Sequence, residues 1–407
     1  MKVIIQKFGG TSLKDDVGRK QATKHIANAV SEEYKVVVVV SAMGRKGDPY
    51  ATDSLLSLIS SRSIALPKRE IDLLMACGEV ISAVVMSSLV KEHGLSTTVL
   101  TGVHAGILTN NDFGNARISE IKTERIVSAL NDNDVVIIPG FQGVTSNHET
   151  TTLGRGGSDT SAAALGVALD AQFIDIFTDV EGVMTADPAI VNNARPLKTI
   201  TYTEVCNLAY QGAKVIHPRA VEIAMPARVP IRIRSTFSPS NGTIVTDKIE
   251  ERDKRNITDR IVTGITYVGN ISQIKISEKK NSHRLQSEVF KAMAEQEISV
   301  DFINISPNGV SYTVSESVTE KAITAIKQLG YEPVVEAECA KVSAVGAGMT
   351  GVPGVTAKIV SALTNEGIQI MQSADSHTTI WVLVKQQDLN KAVNALHETF
   401  QLNRISN

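Results

Sequence analysis

Up to Asp247 the chain alternates short apolar runs with longer amphipathic stretches. The runs Val3-Ile4-Ile5, Val36 to Val40, Val135 to Ile138 and, broken only by Asp175, Phe173 to Phe177 do not alternate, the pattern of parallel strands covered by helices on both faces. Between them, segments such as Arg19 to Val30 and Glu70 to Val90 repeat apolar residues at helical spacing. This βαβ order predicts an αβα sandwich with a mainly parallel central sheet, whose ligands collect at the carboxyl ends of the strands.

From Lys248 to Arg260 the chain reads KIEERDKRNITDR and loses apolar periodicity, which predicts a solvated linker or an exposed helix. Beyond it lies an internal repeat. A shift of 70 residues superposes Ile298 on Ile368, Val310 on Ile380, Val314 on Val384 and Lys321-Ala322-Ile323 on Lys391-Ala392-Val393, without a gap. Each copy reads as a strand (Ile271 to Ile276, Lys341 to Val345) followed by helix, strand, turn, strand and helix, a ferredoxin-like βαββαβ unit duplicated in tandem. The expected division is an α/β domain over 1–247, a charged linker over 248–261, and two α+β domains over 262–335 and 336–407.

With 407 residues, 43 % of them apolar and 21 % charged, the chain can bury sizeable cores. A formal net charge of -2 gives no pull toward nucleic acid or an anionic membrane. No stretch approaches the roughly 20 apolar residues of a membrane span, and the N-terminal run is too short for a signal peptide. Cys77, Cys206 and Cys339 are odd in number and far apart, which suits free thiols in a reducing compartment. A soluble, cytoplasmic protein is expected. The eight histidines form no HxxxH or HExxH pair, so a protein-held zinc site is not expected.

Three segments carry candidate chemistry. Lys7-Phe8-Gly9-Gly10-Thr11-Ser12 follows the first strand; its glycines let the backbone approach a ligand, and Lys7 can reach phosphate oxygens as a point charge. The G-x-x-x-x-G-K-[ST] spacing of a Walker A loop is absent. Thr151 to Ala164 contains Gly154-Arg155-Gly156-Gly157-Ser158-Asp159 and opens a helix of small residues, an anion-ready terminus. There Arg155 offers a fork for a carboxylate, and Asp159 can hold an ammonium group or orient a lysine. Phe177 to Pro188 leaves a strand as a polar loop with Thr178, Asp179, Thr185 and Asp187, where nucleotide sites of open α/β sheets lie. Each segment also reads as simple punctuation when taken alone. Weaker candidates are Lys214 as a second cation, Glu79 at the opening of an apolar helix, Thr52 with Asp53 as a helix cap, and Ser41 at a strand's end.

Together, KFGGTS, GRGGSDTSAAALG and FTDVEGVMTADP, in that order, resemble the aspartokinases of the amino acid kinase family, and the repeat resembles their paired ACT regulatory domains. The resemblance covers essentially the whole chain and matches the monofunctional length. It implies phosphorylation of L-aspartate to 4-phospho-L-aspartate by ATP with Mg²⁺, the entry to lysine, diaminopimelate, threonine and methionine. By this similarity Lys7, Phe8, Gly9, Gly10, Thr178, Asp179, Thr185, Asp187 and Lys214 would bind ATP. Ser41, Thr52, Glu79, Arg155, Gly157, Ser158 and Asp159 would form the aspartate site, with Lys7, Lys214 and Asp159 as the catalytic groups. It further implies a homodimer through the ACT domains and feedback by lysine, diaminopimelate or threonine. Expected effector residues are Asp301, Asn304, Met349, Val352, Gln372 and Asp375. Two other readings stay open: a relative acting on glutamate or carbamate, and a non-catalytic amino-acid sensor.

Overall fold

The computed structural model describes residues 1–60, 66–247, 261–277, 282–349 and 351–404. The expected linker therefore lies outside the described residues, apart from Ile261. The chain divides into two compact units: Met1–Val183, Pro196–Tyr210 and Lys214–Arg255 form the first, while Met184–Arg195, Gln211–Ala213 and Asn256–Asn407 form the second. Two short segments upstream of the expected boundary thus belong to the second unit.

The first unit is built on an eight-stranded sheet. Its strands are β1 (Val3–Phe8), β2 (Lys35–Val40), β3 (Thr97–Val99), β4 (Val135–Pro139), β5 (Phe173–Thr178), β6 (Thr199–Ile200), β7 (Ile231–Ser235) and β8 (Thr243–Val245). They lie in the order β6-β8-β7-β5-β1-β2-β4-β3, with only β7 and β8 antiparallel. Val36 to Val40 are all fully buried, as a strand covered on both faces requires. One face packs on α1 (Asp16–Ser31) and α3 (Lys68–Glu92) through Ile4, Phe8, Val36, Val38, Ile26, Met86 and Val90. Between those helices in sequence comes α2 (Thr52–Ser60), and α1 begins at Asp15, whose carboxylate accepts from the Gly18 N–H at 2.8 Å.

Length and composition alone would let the 25-residue α3 cross a membrane, which the run-by-run reading overlooked. Its buried side instead packs in this unit's core and includes the ionisable Asp72 and Glu79. Asp72 accepts from the Thr152 N–H (2.7 Å), the Thr152 hydroxyl (2.8 Å) and the Gly114 N–H (2.9 Å). It thereby ties α3 to a small second sheet of Ile107–Thr109, Ile118–Ile121, Gln142–Val144 and Thr150–Thr152. These strands are too short to show a period in the sequence. The last of them delivers the chain into the Gly154–Gly157 turn and α4 (Gly157–Ala168). Later come α5 (Tyr202–Tyr210) and α6 (Pro218–Ala227).

In the second unit the two repeats share their longest strands. β9 (Gly264–Ser277), β10 (Asp301–Ser306), β11 (Gly309–Ser315), β12 (Val334–Val345), β13 (Gln372–Asp375) and β14 (Thr379–Lys385) form one sheet in the order β10-β11-β9-β12-β14-β13. Ile271 to Ser277 pair with β11 and serve the first copy. The upstream half of the same strand, Gly264 to Val268, pairs with Val345 to Lys341 and completes the second copy. The tandem reading therefore needs correcting: the closing strand of the second copy comes from ahead of the first. The register shifts between Val268 and Ile271, and Asn270 (φ 55°) and Glu338 (φ 54°) take left-handed conformations there and on β12. Helices α7 (Ser282–Glu295) and α8 (Thr319–Gln328) cover one half, and α9 (Val355–Asn365) and α10 (Leu389–Thr399) the other.

Candidate active site

The parallel register sets Lys7 beside Val39 of β2 and Ile176 of β5, at the carboxyl end of the sheet. Phe8, next along, stacks on Phe177 with ring centroids 4.6 Å apart, which anchors the strand end. The turn that follows is pressed against the loop after β2. A Cβ on Gly10 would lie 2.6 Å from the carbonyl oxygens of Ala42 and Gly44, so only glycine fits. The Gly44 N–H donates to the Gly10 carbonyl at 2.9 Å, and the Ser41 N–H to the Phe8 carbonyl at 3.1 Å.

From the other side comes α4. Gly156 adopts φ 72°, and a Cβ there would sit 2.1 Å from Cγ of His217. This close passage lets Asp159, in the first turn of α4, meet Lys7: Nζ and Oδ1 are 2.7 Å apart, with both side chains mostly buried. The contact is an ion pair by distance, though its angles fall outside the hydrogen-bonding range. The second carboxylate oxygen accepts from the His217 N–H at 3.2 Å. Burial pushes the His217 imidazole below its usual range, more strongly than the Asp159 charge raises it. The sequence reading missed His217; its only signal was its place between Lys214 and the helix-starting Pro218.

Glu79 does not open its helix as expected but sits in mid-α3, 2 % exposed. Its Oε1 accepts from the Ala42 N–H at 3.1 Å, while Oε2 has no hydrogen-bond partner among the described residues. Burial raises its pKa to about 8. Thr52 opens α2, Ser41 is half-buried, and Arg155 and Lys214 are exposed. Ser158 is buried beneath Gly140, and Gly157 is packed against Phe141 and Leu153, so these two shape the turn. The Thr178 hydroxyl donates to Asp179 at 3.0 Å, and Asp179 also pairs with the exposed Arg45 at 3.1 Å.

Of the expected nucleotide residues, Thr185 and Asp187 belong to the second unit. Thr185 is fully buried, and its hydroxyl accepts from the Arg195 N–H (3.1 Å) and bonds His397 Nε2 (3.0 Å). A hydroxyl so engaged supports the loop rather than offering itself to a ligand. Among the expected effector residues, Met349 lies in the core of the second copy. Gln372 is spent on the sheet itself, accepting from Gln273 (2.6 Å) and donating to the Phe302 carbonyl (2.9 Å). Asp301 pairs with the buried Lys341, whereas Asn304, Val352 and Asp375 are exposed. Among the described residues no group of three His, Cys, Asp or Glu side chains could hold a metal.

Residues 2–235 match the amino acid kinase family, and residues 334–398 match the ACT domain. The chain is 60 % identical over 404 residues to Aspartokinase 1 of Bacillus subtilis (strain 168), covering 99 % of this chain and 100 % of that protein. Among solved structures it resembles E. coli aspartokinase III in complex with aspartate and ADP, with TM-score 0.79, 24 % identity, and 98 % and 99 % of the two chains covered. At that identity the likeness speaks for the fold. The same enzyme in complex with lysine and aspartate gives TM-score 0.78 at 25 % identity, covering 98 % and 100 %.

Proposed function

The chain belongs to the aspartate kinases of the amino acid kinase family, and on that premise we propose that the Lys7–Asp159 pair marks where MgATP meets the side-chain carboxylate of L-aspartate. The observation that carries this is the mostly buried ion pair between a Gly-Gly turn and the first turn of α4. Two anions must be brought together, so catalysis is chiefly charge neutralisation and positioning. Lys7 and Lys214 offset the phosphate charge, Thr178 and Asp179 face the nucleotide, and Mg²⁺ arrives on the phosphates. Arg155 takes a substrate carboxylate through its fork, and Glu79 accepts the ammonium group.

In this reading an oxygen of the ionised carboxylate attacks the γ-phosphorus, the bond to the β-bridging oxygen breaks, and ADP leaves. No proton moves, since the nucleophile is already a carboxylate at neutral pH. The test is ADP release with aspartate, glutamate, carbamate or no acceptor. Turnover specific for aspartate supports the assignment, and equal turnover with glutamate sinks it.

The regulatory part of the proposal is feedback by lysine, diaminopimelate or threonine, the end products of the route that 4-phospho-L-aspartate opens alongside methionine. It draws on the ACT match and on the lysine complex of the E. coli enzyme. Edge strand β10 carries the exposed Ile303 and Ile305, which supports homodimerisation through ACT strands. Titration with each amino acid, and sedimentation of the free enzyme, test the two points; no inhibition by any of the three, or a monomer, would overturn them. The three free thiols support a reducing, cytoplasmic setting.

A further inference from the structure

The loop after β5 is held by side chains that arrive from the ACT repeats. Its first part, up to Val183, stays in the first unit, where the Val183 N–H donates to Thr243 at 2.9 Å. One residue later the chain enters the second unit and remains there to Arg195. Within that unit Ala186 and Val191 join the core formed by Val262, Ile265, Val342 and Leu396. The Ile265 N–H donates to the Thr185 carbonyl at 2.8 Å.

Three polar side chains then fix the loop residue by residue. His397 of α10 bonds the Thr185 hydroxyl at 3.0 Å, in a contact from which water is excluded. The Tyr267 hydroxyl of β9 donates to one oxygen of Asp187 at 2.9 Å, while the other oxygen caps the Ala189 N–H at 2.9 Å. Asn394, one turn before His397 on α10, donates to the Ile190 carbonyl at 3.1 Å. Holding one loop with three directed bonds exceeds what packing requires, because each bond sets a geometry as well as filling space.

We infer that His397, Tyr267 and Asn394 are positioning residues for nucleotide, through which the ACT repeats set the conformation of the Thr178–Pro188 loop. The inference rests on the reading of that loop as the nucleotide loop. None of the three touches substrate in this account; they act through Thr185, Asp187 and Ile190.

The test uses the full-length enzyme and compares MgADP affinity by calorimetry with the KM values for MgATP and aspartate. His397→Leu is expected to weaken MgADP binding by about tenfold, the scale of one or two lost hydrogen bonds, and to leave the aspartate KM near wild type. His397→Gln, which can place an amide group near the Nε2 position, is expected to recover most of the loss. Tyr267→Phe and Asn394→Ala, at half-buried positions, report the same effect should His397→Leu fail to fold. Folded variants with wild-type MgADP affinity, or a loss confined to the aspartate KM, overturn the inference. A wild-type enzyme that binds no MgADP overturns instead the reading of the loop, which separates the two failures.

Discussion

Lys7 at the end of β1 and Asp159 in the first turn of α4 form an ion pair of 2.7 Å, with each side chain no more than 13 % exposed. The pair fixes the lysine's position before any phosphate arrives. A preorganised cation of this kind costs little reorganisation when charge develops on the transferring group.

Replacing Lys7 by Ala is accordingly expected to lower kcat by at least ~100-fold, the scale of losing one preorganised electrostatic group. Asp159→Asn keeps the shape but releases the lysine, and a smaller loss is expected. ADP release at saturating aspartate is the measurement, and a Lys7→Ala enzyme with undiminished kcat would remove the pair from the chemistry.

Arg155 is exposed, so its removal should leave stability unchanged. If its fork binds a substrate carboxylate, Arg155→Ala raises the aspartate KM by about tenfold or more and changes kcat less. Initial rates over a range of aspartate decide this, and unaltered constants exclude the role.

Glu79 makes a prediction about protons. Burial raises its pKa from 4.5 to about 8, so at pH 7 the free enzyme keeps it mostly neutral. Its contribution to stability is fully present below the unfolded value and is lost as pH rises through about 8. An ammonium group docking beside it restores the carboxylate, so aspartate binding at pH 7 should release close to one proton. Calorimetry in buffers of different ionisation enthalpy reads that number directly. Glu79→Gln should abolish the release and weaken aspartate; absence of any release in the wild type excludes Glu79 as the ammonium partner.

His25, His217 and His397 are all pushed below the ordinary histidine value, in each case chiefly by burial. Such groups resist protonation in the folded chain while the unfolded chain takes up protons near 6.5. Their contribution to stability is therefore present above pH 6.5 and falls away as the solution is acidified below it. Glu79 opposes this over the same interval, so the drop in Tm between pH 6.5 and 5.5 is expected in Glu79→Gln, and adding His397→Gln should flatten part of it. A Glu79→Gln enzyme whose Tm rises on acidification over this interval contradicts the account.

Much of the fold was legible because burial writes itself into continuous apolar runs. The valines of β2 and the apolar strand of β5 lie where the runs place them. The small second sheet was not legible, since three-residue strands carry no period. At the site, Lys7, Arg155 and Asp159 stood out because their Gly-rich turns occur together, in the order that the aspartokinases share. His217 and the mid-helix position of Glu79 stayed hidden, because a lone histidine or glutamate has no pattern of its own.

By itself the sequence determined the layered α/β unit, the duplicated α+β unit and the order of the motifs whose resemblance to aspartokinases implies phosphoryl transfer. Those properties depend on local periodicity and spacing, which a chain carries in one dimension. Only the tertiary structure decided that Lys7 meets Asp159, that β9 serves both repeats, and that Thr185 is claimed by His397. Each of these joins residues remote in sequence, and the register and packing that bring them together exist only once the cores have formed.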